Sequence, residues 1–109
     1  MSMLTNYGGK KKWIDIDWSN VDGNTIEAGM PIGADGQIHN DANAIGILVK
    51  SCDSRFTRDG EILIAGYCEE AERKTVSGVS LSSECRVALD GIALINANGS
   101  HLGNVAVAG

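Results

Sequence analysis

The sequence predicts a mainly β domain, a β-rich α+β fold arranged as a small antiparallel barrel or sandwich with one or two short helices. Three observations predict it. Five turn-forming pairs, Asp22-Gly23, Asp35-Gly36, Asp59-Gly60, Asp90-Gly91 and Asn98-Gly99, punctuate a chain of 109 residues. Such pairs tolerate the positive φ that tight hairpin turns require. Short runs of Ile, Leu and Val fill the intervals between them, as buried or half-buried strands demand. One segment departs from this pattern: Leu81, Cys85, Ala88 with Leu89, and Ile92 recur at helical spacing.

Taken in order, residues 1–12 are mostly polar and carry Gly8-Gly9 before Lys10-Lys11-Lys12. They read as a flexible N-terminal arm ahead of a single β-rich domain over residues 13–109. From Trp13 to Trp18 the chain alternates. Ile14, Ile16 and Trp18 point one way and Trp13, Asp15 and Asp17 the other, the period of a half-buried strand. Ile26 opens a strand that Gly29 and Pro31 interrupt, marking an edge or a bend. Gly33 to Gly36 turns, a short Gln37-Ile38-His39 follows, and Ala44 to Val49 forms a more continuous apolar strand. Gly46 inside it signals a bulge or a close backbone approach. Cys52 to Asp59 reads as a polar loop and Glu61 to Tyr67 as the core strand. Glu69 to Lys74 suits one or two helical turns. The helix after Ser77-Gly78 has Ser80 or Ser82 as N-cap, Glu84 in its first turn and Asp90-Gly91 at its end. Ile92–Ile95 and Leu102–Ala108 then form a terminal hairpin around Asn98-Gly99.

A chain of this length is one domain and buries roughly 65% of the surface its unfolded form exposes. Aromatic residues make up only 5% of it, so the core is aliphatic. That is a thin margin against about 1–2 kcal/mol of conformational entropy per ordered residue. Association between copies supplies the missing burial. The balance of 9 basic and 14 acidic side chains gives a net charge of −5, which repels phosphate backbones and argues against nucleic-acid binding. No apolar run approaches the roughly 20 residues of a membrane span. Met1 to Lys12 lacks the apolar stretch of a signal peptide, so export by the usual route is not expected.

No residue set looks built for catalysis or for a cofactor, and an enzyme is not expected. Asp15-Ile16-Asp17-Trp18-Ser19 begins like a calcium loop. An EF-hand needs Gly at its sixth position and Glu at its twelfth, where this chain has Asn20 and Ile26. His39 and His101 stand alone, without a second His or Cys at ligand spacing. Cys52, Cys68 and Cys85 are too widely spaced for a zinc site or a disulfide framework and read as reduced, partly buried thiols. Pro31 removes an amide from Gly29–Gly33, which rules out a phosphate loop. Asn98-Gly99-Ser100 matches a glycosylation sequon that has no use without secretion. Lys10-Lys11-Lys12 with Trp13 is the one basic cluster. It reads as a solvated flank or as a contact for an acidic partner surface.

From Ala28-Gly29-Met30-Pro31-Ile32-Gly33, through Asp35-Gly36, to Asn40-Asp41-Ala42-Asn43-Ala44-Ile45-Gly46-Ile47-Leu48, the sequence resembles the base domain of phage head fibre proteins and related capsid decoration proteins. Gly66-Tyr67, Ser77-Gly78-Val79 and Leu89-Asp90-Gly91-Ile92 continue the likeness, which covers residues 26–95. The resemblance implies a compact β-rich base that forms a homotrimer, binds the major capsid protein on the exterior of an assembled phage shell, and does no chemistry. Assembly would take place in the host cytoplasm and the product would belong to the virion. No heptad run follows Ile95, so the likeness does not extend to a helical stalk. Lys10, Lys11, Lys12 and Trp13 are the candidate capsid contact. The rival expectation is a small β-barrel module that binds a small ligand or carbohydrate through exposed aromatics. Tyr7, Trp13, Trp18, Phe56 and Tyr67 are the side chains available for that.

Overall fold

A computed structural model describes residues 2–96. Its strands are β1 (Tyr7–Asp15), β2 (Thr25–Ile26), β3 (Pro31–Gly33), β4 (Ala44–Leu48), β5 (Cys52–Asp53), β6 (Asp59–Glu69) and β7 (Ile92–Ile95), and its helices are α1 (Glu70–Ser77) and α2 (Ser83–Ala88). The fold is mostly β with two short helices, as the sequence predicts. The main sheet runs β1-β6-β4-β3, with β7 added in parallel beside β6, and β2 pairs separately with β5. It is an open sheet, not a closed barrel, with β1 and β3 as the end strands of that path and β7 paired to β6 alone among the described residues. The parallel β6–β7 pair needs a crossover, which α1 and α2 supply.

The expected core strand is the hub. Ile62 and Leu63 of β6 are fully buried and face opposite ways, as successive strand residues must. Leu63 joins an apolar cluster with Ile47, Cys85, Leu89 and Leu94, while Ile62 joins a second cluster with Ile16, Ile26, Ile32 and Leu48. The sheet therefore carries a core on each side. Two bulges help. Ile64 has no partner between the Lys10–Ala65 and Lys11–Leu63 pairs, and Ile45 has none between the Ile32–Gly46 and Gly33–Ala44 pairs. Each extra residue reverses the alternation along its strand. Leu63 and Cys68, an odd number of residues apart, thus both reach the first cluster. Gly46 adjoins its bulge and also meets its neighbour closely: a Cβ there would lie 2.7 Å from the Leu63 carbonyl oxygen.

The turn-forming pairs behave differently from the expectation. Among the described residues no non-glycine has positive φ, so none of the four pairs that lie within them forms the two-residue turn with both central residues left-handed. Asp35-Gly36 does reverse the chain, but as a longer turn. The Gly36 N–H donates to the Gly33 carbonyl at 3.0 Å and the Gly33 N–H to the Gln37 carbonyl at 2.9 Å, with Gly36 alone at φ 77°. Asp59-Gly60 is no turn at all and starts β6. Gly60 is glycine for packing, since a Cβ would sit 2.8 Å from Leu48 Cδ1. Asn98-Gly99 and the hairpin partner Leu102–Ala108 lie outside the described residues.

The flexible arm is the largest correction. Leu4 is buried, and its N–H donates to the Val49 carbonyl at 2.8 Å; the Ser51 N–H donates to the Ser2 carbonyl at 2.8 Å. The Thr5 and Asn6 N–H groups donate to the Glu72 carboxylate at 3.0 Å, and the Thr5 hydroxyl bonds it too. From Tyr7 onward the segment is β1 itself, paired along β6. The domain thus includes residues assigned to the arm. Their partners come from distant segments, and for that reason local polarity misreads them. The same pairing explains Gly8-Gly9. Gly9 (φ 132°) crosses Gly66 (φ 127°), and a Cβ on Gly66 would lie 2.0 Å from the Gly8 carbonyl oxygen.

Both helices are shorter or longer than expected but correctly placed. Ser82, one of the two candidate caps, accepts the Cys85 N–H at 3.1 Å, and Glu84 occupies the first turn of α2. Helix α1 extends to Ser77 and ends on Gly78 at φ 74°, whose N–H returns to the Lys74 carbonyl. It also buries Arg73 completely. That guanidinium donates to both Glu70 oxygens at 2.6 and 2.9 Å, to the Gly29 carbonyl at 2.9 Å and to the Val79 carbonyl at 2.7 Å. It therefore ties the segment leading into β3 to the end of α1.

Candidate functional site

The four residues picked out as a contact are consecutive on β1, and all are exposed. β1 pairs with β6 on one side only, so it is an edge of the sheet. In an antiparallel ladder alternate residues direct their amides away from the partner, leaving a row of donors and acceptors facing outward. Alternation also splits the basic cluster. Lys11 and Trp13 share a face with Glu61, and Lys11 Nζ lies 3.7 Å from Glu61 Oε1 and 5.7 Å from the Tyr7 ring centre. Lys10 and Lys12 make no ion pair among the described residues. The site is therefore a lysine-bearing strand edge rather than one compact basic patch.

Trp13, 64% exposed, also lines a cleft of about 240 Å³ together with Lys50, Phe56, Thr57, Asp59 and Glu61. Phe56 is 79% exposed, the largest value among the exposed apolar side chains described. Its position is built, not loose. The Asp53 carbonyl accepts the N–H groups of Phe56 and Thr57 at 2.9 Å, and the Asp53 carboxylate takes the Arg55 N–H, Nε and Nη2 at 2.9, 3.0 and 2.7 Å. Those bonds hold the Asp53 carboxyl down to about 2. Thr57 donates its hydroxyl to the Asp59 carbonyl at 2.7 Å, closing the loop. Beside it, the hydrogen-bonded carboxyl of Asp15, with burial, pushes the Asp59 carboxyl up. Composition named Phe56 as one available aromatic; nothing in its neighbours marks it as the rim of a cleft.

The remaining chemistry-bearing residues are absorbed by the scaffold. The Asp17 carboxylate accepts from Ser19 and Asn20 at 2.6 Å and from Gln37 at 3.1 Å, which lowers its pKa and closes the 3-10 turn Trp18–Asn20. His39 Nε2 lies 2.8 Å from Asp35 and Nδ1 3.4 Å from Asp41, a clasp across the turn. Burial pushes the Cys68 thiol up to about 12 and the Cys85 thiol to about 11, and raises Cys52 as well. Thiols held that high are poor nucleophiles at neutral pH. Among the described residues no group of His, Cys, Asp and Glu is arranged to hold a metal ion, and no helix is long and apolar enough to cross a membrane. His101 lies outside the described residues.

No protein-family model, curated protein or solved structure matches the chain.

Proposed function

We propose that this protein is a structural virion component, a homotrimeric decoration or head-fibre-base protein that docks on the exterior of an assembled phage capsid and does no chemistry. The observation that carries the reading is the open β1 edge. It presents Lys10, Lys11, Lys12 and Trp13 to solvent on a chain whose other charges sum to −8, that is −5 less the three lysines. Such an edge favours an acidic protein surface and repels a second copy of itself, since lysines would oppose lysines. Supporting it is the resemblance over residues 26–95. Its glycines and proline fall at Gly29, Pro31, Gly33 and Gly46, positions where close packing or an edge demands them. A small aliphatic core that gains from burial between copies points the same way.

Co-sedimentation with assembled capsids, set against unassembled shell protein of the same phage, tests the reading. Binding to capsids alone is expected, with a trimer mass in solution. The triple substitution K10E/K11E/K12E is expected to weaken capsid binding at least about tenfold, with stability changed by less than about 1 kcal/mol. Equal binding to both forms of the shell protein, or a monomer at micromolar concentration, overturns it.

A further inference from the structure

We propose that the cleft between Trp13 and Phe56 binds a neutral saccharide ring, a capacity beyond docking that shares Trp13 with it. Two of the three most exposed large apolar side chains described in this molecule line one depression. Scattered single apolar residues need no explanation, but paired aromatics around a concave site do. The backbone that carries each is fixed before any ligand arrives. Trp13 sits on a strand opposite Glu61, and Phe56 on a turn fastened by the Asp53 carboxylate and carbonyl. Little ordering is then required on binding, which preserves affinity.

The lining selects the ligand class. At about 240 Å³ the cleft lies below the range of roughly 300–1,000 Å³ that suits drug-sized molecules, so it takes one ring. The hydroxyls of Thr57 and Ser51 are already donated, to the Asp59 carbonyl and the Glu27 carboxylate. Lys50, Asp59 and Glu61 form the polar wall, one donor and two acceptors, with Glu61 also 3.7 Å from Lys11 and Asp59 hydrogen-bonded to Asp15. A cationic ligand meets Lys50, and it also meets a Phe56 ring already served by Arg55 at 5.7 Å. An anion meets Asp59 and Glu61, with Asp15 paired to Asp59 on the adjoining strand. A purely apolar ligand covers those polar groups without offering them a hydrogen bond. A sugar ring satisfies the whole set, with its C–H face against the aromatics and its hydroxyls both accepting from lysine and donating to carboxylates.

Titration of the full-length protein with glucose, galactose and N-acetylglucosamine, followed by NMR, decides the matter. Sorbitol is the control, a polyol without a ring. The Trp13 indole N–H and the Phe56 amide are expected to shift saturably with at least one sugar, at a dissociation constant on the order of 1–10 mM. The Trp18 indole, which lies away from the cleft lining, is expected to stay still. Phe56→Ala removes an exposed side chain, so it is expected to keep the fold while weakening binding at least about tenfold. Glu61→Gln is expected to weaken it also. The proposal is overturned by any of three results: no saturable shift with any of the sugars up to about 100 mM, an equal response to sorbitol, or unchanged affinity in Phe56→Ala.

Discussion

The two end strands of the main sheet, β3 and β1, are finished in opposite ways. At one edge β3 is wholly buried: Pro31 has no N–H to offer, Ile32 is bridged on its outer side by Ile38, and the turn Gly33–His39 folds over it. At the other edge β1 is nine residues long, lysine-bearing and open to solvent. Edges invite pairing with other chains, and proteins blunt them with proline, cover or charge. Here one edge has proline and cover, the other charge alone. Proline and cover close an edge to everything. Charge closes it to like charge and leaves it open to the opposite sign, which is why the proposed docking is placed at β1.

The closed edge depends on Arg73. Its guanidinium holds the Gly29 carbonyl just before β3 and the Val79 carbonyl beyond α1, neutralised by Glu70. Arg73→Met leaves a carboxylate and two carbonyls in an interior site without donors. Removing one partner of a buried pair costs about 3–5 kcal/mol. The urea midpoint should fall accordingly, and amide exchange should rise first around Gly29 to Gly33 while β1 stays protected. A loss below about 1 kcal/mol would mean that this edge is held by its apolar contacts alone.

The open edge depends on the crossing of Gly9 and Gly66. Gly66→Ala places a methyl group 2.0 Å from the Gly8 carbonyl at a φ of 127°, so collision and backbone strain act together. About 3 kcal/mol is expected, from roughly 1–3 kcal/mol for each effect. The loss should appear as exchange of the β1 amides, with β3 unaffected. Gly78→Ala sharpens the comparison. That glycine is also left-handed, at φ 74°, but has open space around it, so only the conformational cost of about 1 kcal/mol is expected. Equal effects at the two sites would show that collision at the crossing contributes nothing.

The N-terminal end of the open edge is fastened by Glu72. Burial works to raise its carboxyl, but the bonds from Thr5 and Asn6 outweigh that and hold it below the ordinary 4.5. A depressed carboxyl stabilises the fold above its unfolded value and loses that contribution as pH falls through the folded one. Below about pH 4.5 residues 2–6 should begin to detach, seen as rising exchange at the Thr5 and Asn6 amides. Glu72→Gln should weaken the same amides by about 1 kcal/mol at neutral pH and remove the acid dependence.

What was legible in the sequence follows from range. Ser82 and Glu84 announce the start of α2 through their own backbone neighbours, and the apolar run of β6 announces a hub by its composition. Pro31 correctly marked an edge. The reading of residues 1–12 failed because Leu4, Thr5 and Gly9 take their meaning from Val49, Glu72 and Gly66, which no local window contains. Asp59-Gly60 failed for a related reason. Glycine there answers to Leu48 across the sheet, not to a turn. Of the candidate site, the lysines and Trp13 stood out by clustering. Phe56 did not, since its exposure is set by the bonds Asp53 makes around it, and Arg73 carried no signal beyond being an arginine on a short helix.

The smallest expected effect separates the two edges by pH alone. His39 clasps the turn that covers β3. Its hydrogen bond to Asp35 lifts its pKa above 6.5, burial opposes this, and Asp41 adds to the lift; Asp35 is lowered in return. A group whose pKa is raised by folding contributes its full stabilisation below the unfolded value and loses it as pH rises through the folded one. As pH rises above about 6.5 and through the raised folded value, the cover on β3 should therefore loosen. Amide exchange at Gly33, Gly36 and His39, corrected for its intrinsic pH dependence, should show lost protection. The β1 amides carry no histidine contact among the described residues and should show none. His39→Gln keeps a donor toward Asp35 without titrating, so its exchange should be flat over the same range. Should that variant loosen with pH as the wild type does, the imidazolium is not what shuts the edge, and the Gly33–Gly36 and Gly33–Gln37 backbone bonds hold it unaided.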